Sequence, residues 1–247
     1  MTTQAPKSPL TFYRTGPMPC PYLDGQVERN LFTVLNATQS QSLQDKFAQA
    51  GFRRSHHMVY RPACPGCNGC VPVRIPVAKF TMSRSQRRVW RKNTDLSVSI
   101  GAARATDEHY GLFSLYQKAR HHGGEMATMS FSDFRSMIED SAVETELVSI
   151  RNANSQLIGA CLTDCLTRGY SAVYSYFDPS EAQRSLGTFC VLWLLDRAQS
   201  NDLDHLYLGY WIAECPKMSY KNRFKPTEYL GTNGWQAEPL PHSTPQD

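Results

Sequence analysis

Leu112, Leu115, Tyr116 and Ala119 recur at steps of three, four and seven residues, which lines one apolar face of a helix between Asp107 and Arg120. Ser132 then predicts the cap of a second helix reaching about Glu139. Beyond it the pattern becomes that of strands, at Glu146–Arg151, Leu157–Leu166 and Tyr170–Phe177. The turn-forming Asn152–Gln156 and Thr167-Arg168-Gly169 join them in succession, so the three should form an antiparallel meander. A strongly apolar run, Leu186–Ala198, predicts a buried helix, and His205–Tyr210 a returning strand.

The stretch before about Ala102 is less regular, because Pro17, Pro19, Pro21, Pro62, Pro65, Pro72 and Pro76 interrupt it. It should hold a helix from Ser40 to Ala50, stopped at Gly51, and short strands near Met58–Arg61, Val71–Ile75 and Leu96–Ile100. The expected class is α+β: a small irregular α/β layer over 1–102, a regular domain over 103–237, and loose ends at Met1–Pro9 and 238–247.

Composition adds limits rather than chemistry. With 247 residues, 41% hydrophobic and 19% charged, the chain can bury a sizeable core. No apolar run approaches the ~20 residues that span a bilayer, and the N-terminus lacks the basic start of a secretion signal. A cytoplasmic protein without a membrane partner is expected, with its eight cysteines reduced.

Charge changes the picture. The run Gly51–Thr94 carries ten Lys or Arg and no Asp or Glu, so a chain of net charge +4 has +10 in this run and −6 elsewhere. A one-signed field attracts a polyanion. Within it Arg84, Arg87, Arg88, Arg91 and Lys92 repeat at three and four residues around Trp90, as a helix laying cations along RNA would. DNA is not expected as a partner.

Two further places could carry chemistry. Cys64, Cys67 and Cys70 stand at intervals of three in a Gly/Pro turn, a spacing that wraps thiolates around one zinc ion or one [4Fe-4S] cluster, with Cys20 as the fourth ligand. The helix starting at Arg184-Ser185-Leu186-Gly187 offers free N–H groups and a positive dipole end, either to an anion or simply as a Ser-capped core helix. The paired His56-His57 and His121-His122 lie in no recognisable nucleophile motif.

Two helices, a three-stranded meander, a helix and a returning strand resemble the acyltransferase fold of the GCN5-related N-acetyltransferases. Those enzymes place a pyrophosphate at the helix start, in a loop that ends on a small residue. Phe189 stands there instead, which weakens a reading as an acetyl-CoA enzyme and leaves Ser185 and Gly187 to the phosphates of a tRNA end.

More specific blocks follow in order: Cys20-Pro21-Tyr22-Leu23, Gly51-Phe52-Arg53-Arg54-Ser55, Tyr60-Arg61-Pro62, Cys70-Val71-Pro72-Val73-Arg74, Tyr176-Phe177-Asp178-Pro179, Arg184-Ser185-Leu186-Gly187 and Leu208-Gly209-Tyr210-Trp211-Ile212. Together they resemble the arginyl-tRNA-protein transferase family, and within it the bacterial members that transfer Leu. The resemblance implies transfer of Leu from Leu-tRNA(Leu) to proteins with N-terminal Asp or Glu, marking them for degradation by the N-end rule. It also implies that no cofactor is needed for the chemistry, although eukaryotic relatives bind an iron–sulfur cluster through N-terminal cysteines.

Such a reaction assigns candidate roles. Asp178 would hold or deprotonate the acceptor amine, with Tyr174 and Tyr176, four and two residues before it, donating to the ester oxyanion or leaving oxygen. Arg74, Arg184, Lys217 and Lys221 are candidates for the acceptor carboxylate. An arginyltransferase with the same acceptors, and a non-enzymatic RNA-binding protein with structural zinc, are the alternatives.

Overall fold

The computed structural model describes residues 10–35, 40–120 and 124–239. The expected loose N-terminus, the tail from Leu240 onward and the His121-His122 pair lie outside them. The first third is built from short pieces: β1 (Tyr13–Arg14), β2 (Met18–Pro19), β3 (Val27–Glu28), β4 (Asn30–Val34), α1 (Ser40–Gln49), β5 (Arg53–Ser55), β6 (Met58–Pro62) and β7 (Val71–Pro76). The basic segment forms α2 (Arg84–Lys92), followed by β8 (Ser97–Ala102) and α3 (Asp107–Arg120). Then come α4 (Phe131–Glu139), the meander β9 (Thr145–Arg151), β10 (Leu157–Leu166) and β11 (Gly169–Phe177), α5 (Leu186–Ser200) and β12 (His205–Trp211). A short α6 (Pro216–Ser219) and the hairpin β13 (Glu228–Gly231) and β14 (Gly234–Gln236) close the described chain.

Eight strands form one sheet in the order β14-β13-β7-β12-β11-β10-β9-β8. The meander is antiparallel as expected, and β12 returns parallel to β11. Strand residues alternate between two cores: Leu147, Ala160 and Leu162 pack with α3 and α4, whereas Val148, Ile150 and Cys161 pack with α5. The sheet is thus the middle layer of an α+β sandwich with the element order of the acyltransferase fold. It also crosses the boundary expected at 102, since β7 lies inside it and β8 at its edge.

What remains separate is a four-stranded sheet, β1-β4-β6-β5, joined to the meander through Arg54 and Asp164, whose side chains are buried and paired. The cap of α4 differs from expectation. Ser130, not Ser132, accepts from the Asp133 N–H while Asp133 reaches back to the Ser130 N–H. The reciprocal box needs its acid three residues after the cap, which places Ser132 inside the helix. Among the described residues no helix is long and apolar enough to cross a membrane.

Candidate active site

Parallel β11 and β12 pair only from Gly169 to Ser171 against His205 to Tyr207. Beyond that each strand shifts register against its outer neighbour, between Ala172 and Tyr174 in β11 and between Tyr207 and Gly209 in β12. The two strands part, and the freed carbonyls need partners. Arg53, from the small sheet, supplies them: its Nη2 donates to the Val173 oxygen at 2.6 Å and to that of Ala172 at 3.4 Å. Gly209 makes the space. A Cβ there would stand 2.6 Å from the Arg53 Cζ and closer still to Nη1, and its φ of +73° suits glycine.

Lys221 neighbours Arg53 from the other side of β12's Tyr210 carbonyl. It is 6% exposed, and its Nζ donates to the Tyr210 carbonyl at 2.6 Å, with Met218 Sδ at 3.6 Å. Burial first, and then the neighbouring Arg53 guanidinium, hold its amine well below the usual lysine range. Tyr210 is itself anchored, its hydroxyl donating to the carbonyls of Gly51 and Tyr60 at 3.1 and 3.0 Å. Burial pushes the Tyr220 phenol up to about 12, so it remains a protonated donor.

The expected catalytic trio is not gathered here. Tyr174 is half-buried and its hydroxyl accepts from Gln117 Nε2 at 2.6 Å. Tyr176 shares that core but is fully buried, edge-on to Phe113 and Phe134, and its hydroxyl has no partner. A sealed phenol cannot reach a bound ester as the protein stands. Asp178 serves its own turn: Oδ1 accepts from the Ser180 N–H at 2.8 Å and from its hydroxyl at 2.6 Å. The Asp-Pro sequence favours this local capping over a projecting base.

Two of the expected carboxylate receptors are already neutralised. Arg74 pairs with Glu228 at 2.8 Å and lies 4.3 Å from the centre of the Trp235 ring. Arg184 pairs with Asp95 and Glu181, each at 2.9 Å. Lys217 is exposed, without an ion pair among the described residues. Arg53 is not among the site residues expected from the sequence, although it lies in the block Gly51-Phe52-Arg53-Arg54-Ser55. The adjacent Arg53 and Arg54 point to opposite faces of a strand, one into the opening and one into the buried pair with Asp164.

The basic helix matches its expectation in form. Ser83 and Gln86 cap α2 reciprocally, Trp90 packs on Phe189 with ring centres 5.7 Å apart, and Arg84, Arg87, Arg88, Arg91 and Lys92 face solvent. Asn93 Nδ2 ties the end of α2 to the Arg184 carbonyl at 2.9 Å, beside the start of α5. There Ser185 is left-handed, with φ of 55°, and its side chain caps nothing, so the simple Ser-capped start is not what forms. Gly187 lies against the Phe177 ring, 3.1 Å from where a Cβ would sit.

The four N-terminal thiols are neighbours. Burial, followed by Cys20, Cys64 and Cys67, pushes the Cys70 thiol up to about 12, and the Arg29 N–H lies 3.4 Å from the Cys64 sulfur. Four soft donors beside a backbone N–H suit zinc or an iron–sulfur cluster chemically. As they stand, no three His, Cys, Asp or Glu side chains among the described residues converge to hold an ion.

Comparison with known proteins matches residues 18–88 to the family model described as arginine-tRNA-protein transferase, N terminus, and residues 108–231 to that of its C terminus. The chain is 50% identical over 230 residues to the aspartate/glutamate leucyltransferase of Paramagnetospirillum magneticum, covering 93% of this chain and 94% of that protein. Against the protein of the same name from Rhodospirillum rubrum it is 49% identical with the same coverage. Among solved structures, FemX superposes with a TM-score of 0.43 at 9% identity, over 81% of this chain and 79% of that one.

Proposed function

Because the chain belongs to the arginine-tRNA-protein transferase family, we propose that it moves Leu from Leu-tRNA to the N-terminal Asp or Glu of acceptor proteins in the cytoplasm, marking them for degradation by the N-end rule. The carrying observation is 50% identity, along nearly the whole of both chains, to a protein named for that activity.

The aminoacyl ester is already activated. The acceptor's α-amine attacks its carbonyl, an N–C bond forms, and the tetrahedral oxyanion collapses to expel the terminal ribose oxygen, which takes the proton lost by nitrogen. The ester C–O bond breaks and no electron leaves the system. With a pKa of about 7.7–8.0, an α-amine is partly free at neutral pH, so alignment and oxyanion donors supply most of the rate. Tyr174 and Tyr220 are hydroxyls that could donate to that oxyanion.

In this proposal α2 carries the tRNA backbone. Arg87→Glu with Arg88→Glu should weaken tRNA affinity at low salt by at least 10-fold and flatten its dependence on salt, with the fold intact because both side chains are exposed. Fluorescence anisotropy across a salt series checks it. Cys20, Cys64, Cys67 and Cys70 would hold a zinc ion or cluster once drawn together, which would brace the N-terminal layer and supply no step of the transfer.

The test is transfer from labelled Leu-tRNA and Arg-tRNA to peptides beginning with Asp, Glu, Lys or Ala. Leu is expected on Asp and Glu peptides alone. Arg in its place would change the donor, and tRNA binding without transfer would favour a non-enzymatic RNA-binding role.

A further inference from the structure

We propose that Arg53, at the split between β11 and β12 and with Lys221 beside it, receives the side-chain carboxylate of the acceptor's N-terminal Asp or Glu; this rests on the acceptor class given above. The first ground is charge. Arg54, Arg74, Arg184 and Arg197 each pair with a carboxylate, but among the described residues neither Arg53 nor Lys221 does. The charged side chain that acts on Lys221 is Arg53, and no Asp or Glu does so. A half-buried guanidinium beside a buried amine, with no acid facing either, is a costly arrangement that an arriving anion relieves.

Geometry gives the second ground. Arg53 spends Nη2 on the strand carbonyls, while its Nη1 and Nε make no hydrogen bond among the described residues. The guanidinium is therefore fixed by the fold and still has donors to offer, a pre-organised receptor. Lys221 Nζ uses one donor on Tyr210 and one on a thioether, and an amine can donate in either protonation state. Gly209, with its positive φ, serves to admit this guanidinium.

The competing anion is a tRNA phosphate. Phosphodiesters have the solvent-facing cations of α2, whereas Arg53 is half-buried and Lys221 buried, so a single carboxylate on a short side chain is the better match.

Peptide binding without tRNA separates this proposal from the transfer reaction itself. Wild-type protein should bind a peptide beginning with Asp more tightly than its Asn counterpart, by about 100-fold, as expected for one buried charged hydrogen bond. Arg53→Gln should bring that ratio near one and raise the KM for Asp peptide, with Leu-tRNA affinity unchanged. Arg53→Lys keeps a cation within reach of Val173 and should recover part of the ratio, and Lys221→Met should lose part of it. An unchanged Asp/Asn ratio in folded Arg53→Gln protein would overturn the proposal, as would loss of tRNA affinity in place of peptide selectivity. A wild-type protein that selects Asp peptides but transfers nothing would leave the receptor standing and remove the transferase reading.

Discussion

Replacing Arg54 with Met is expected to destabilise the protein by about 3–5 kcal/mol, the range for stripping one partner from a buried ion pair. The pair is closed on every side. Arg54 Nε and Nη2 lie 2.7–3.0 Å from both Asp164 oxygens, Thr145 adds a hydroxyl at 3.0 Å and Gln44 an amide at 3.3 Å, and the two charged side chains are 1% and 0% exposed. Without Arg54 the carboxylate would be left among neutral donors that cannot neutralise it. The same contact joins the small sheet to the meander and so sets where Arg53 enters the opening. Urea unfolding should show the loss as a lower midpoint. Arg54→Met combined with Asp164→Leu should recover much of it, since removing both charges also removes the desolvation penalty. A single substitution costing under about 1 kcal/mol would mean that water reaches the pair.

Gly209→Ala should cost about 2–4 kcal/mol and abolish selection for acidic N-termini. A left-handed alanine costs ~1–2 kcal/mol, and the added methyl would push the Arg53 guanidinium away from the Ala172 and Val173 carbonyls. Its nearest obstacle is a side chain, so the two effects can be separated. In an Arg53→Ala background the same substitution should cost only the backbone share, giving a coupling of about 1–2 kcal/mol between the residues. Chemical denaturation of the four proteins measures the coupling, and the Asp/Asn peptide ratio of the single variant measures the function. Additive losses would mean that Gly209 is needed for reasons unconnected with Arg53.

Much of this fold was legible in the chain. The helix expected over Asp107–Arg120 has those bounds, and the meander, the apolar helix and the returning strand lie within a few residues of their expected limits. Such elements follow from side-chain periodicity and caps, which act over a few residues. The hairpin β13–β14 and the small sheet's β4 and β5 were not seen, because strands this short gain their stability from distant partners.

The site was legible only in part. Concentrated positive charge and the family blocks are properties of the sequence, and the blocks pointed to the aminoacyl-tRNA-protein transferase family. Which cations remain free is not written locally. Arg74 is neutralised by Glu228, Arg184 by Asp95 and Arg54 by Asp164, partners 154, 89 and 110 residues away. Only when those long loops are closed does Arg53 emerge as a guanidinium that is held by the sheet yet has no acid beside it. Local order was determined by the sequence through short-range sterics and patterning. Charge compensation was decided by the tertiary structure, because the Coulomb energy of a buried group depends on which distant residues the fold brings beside it.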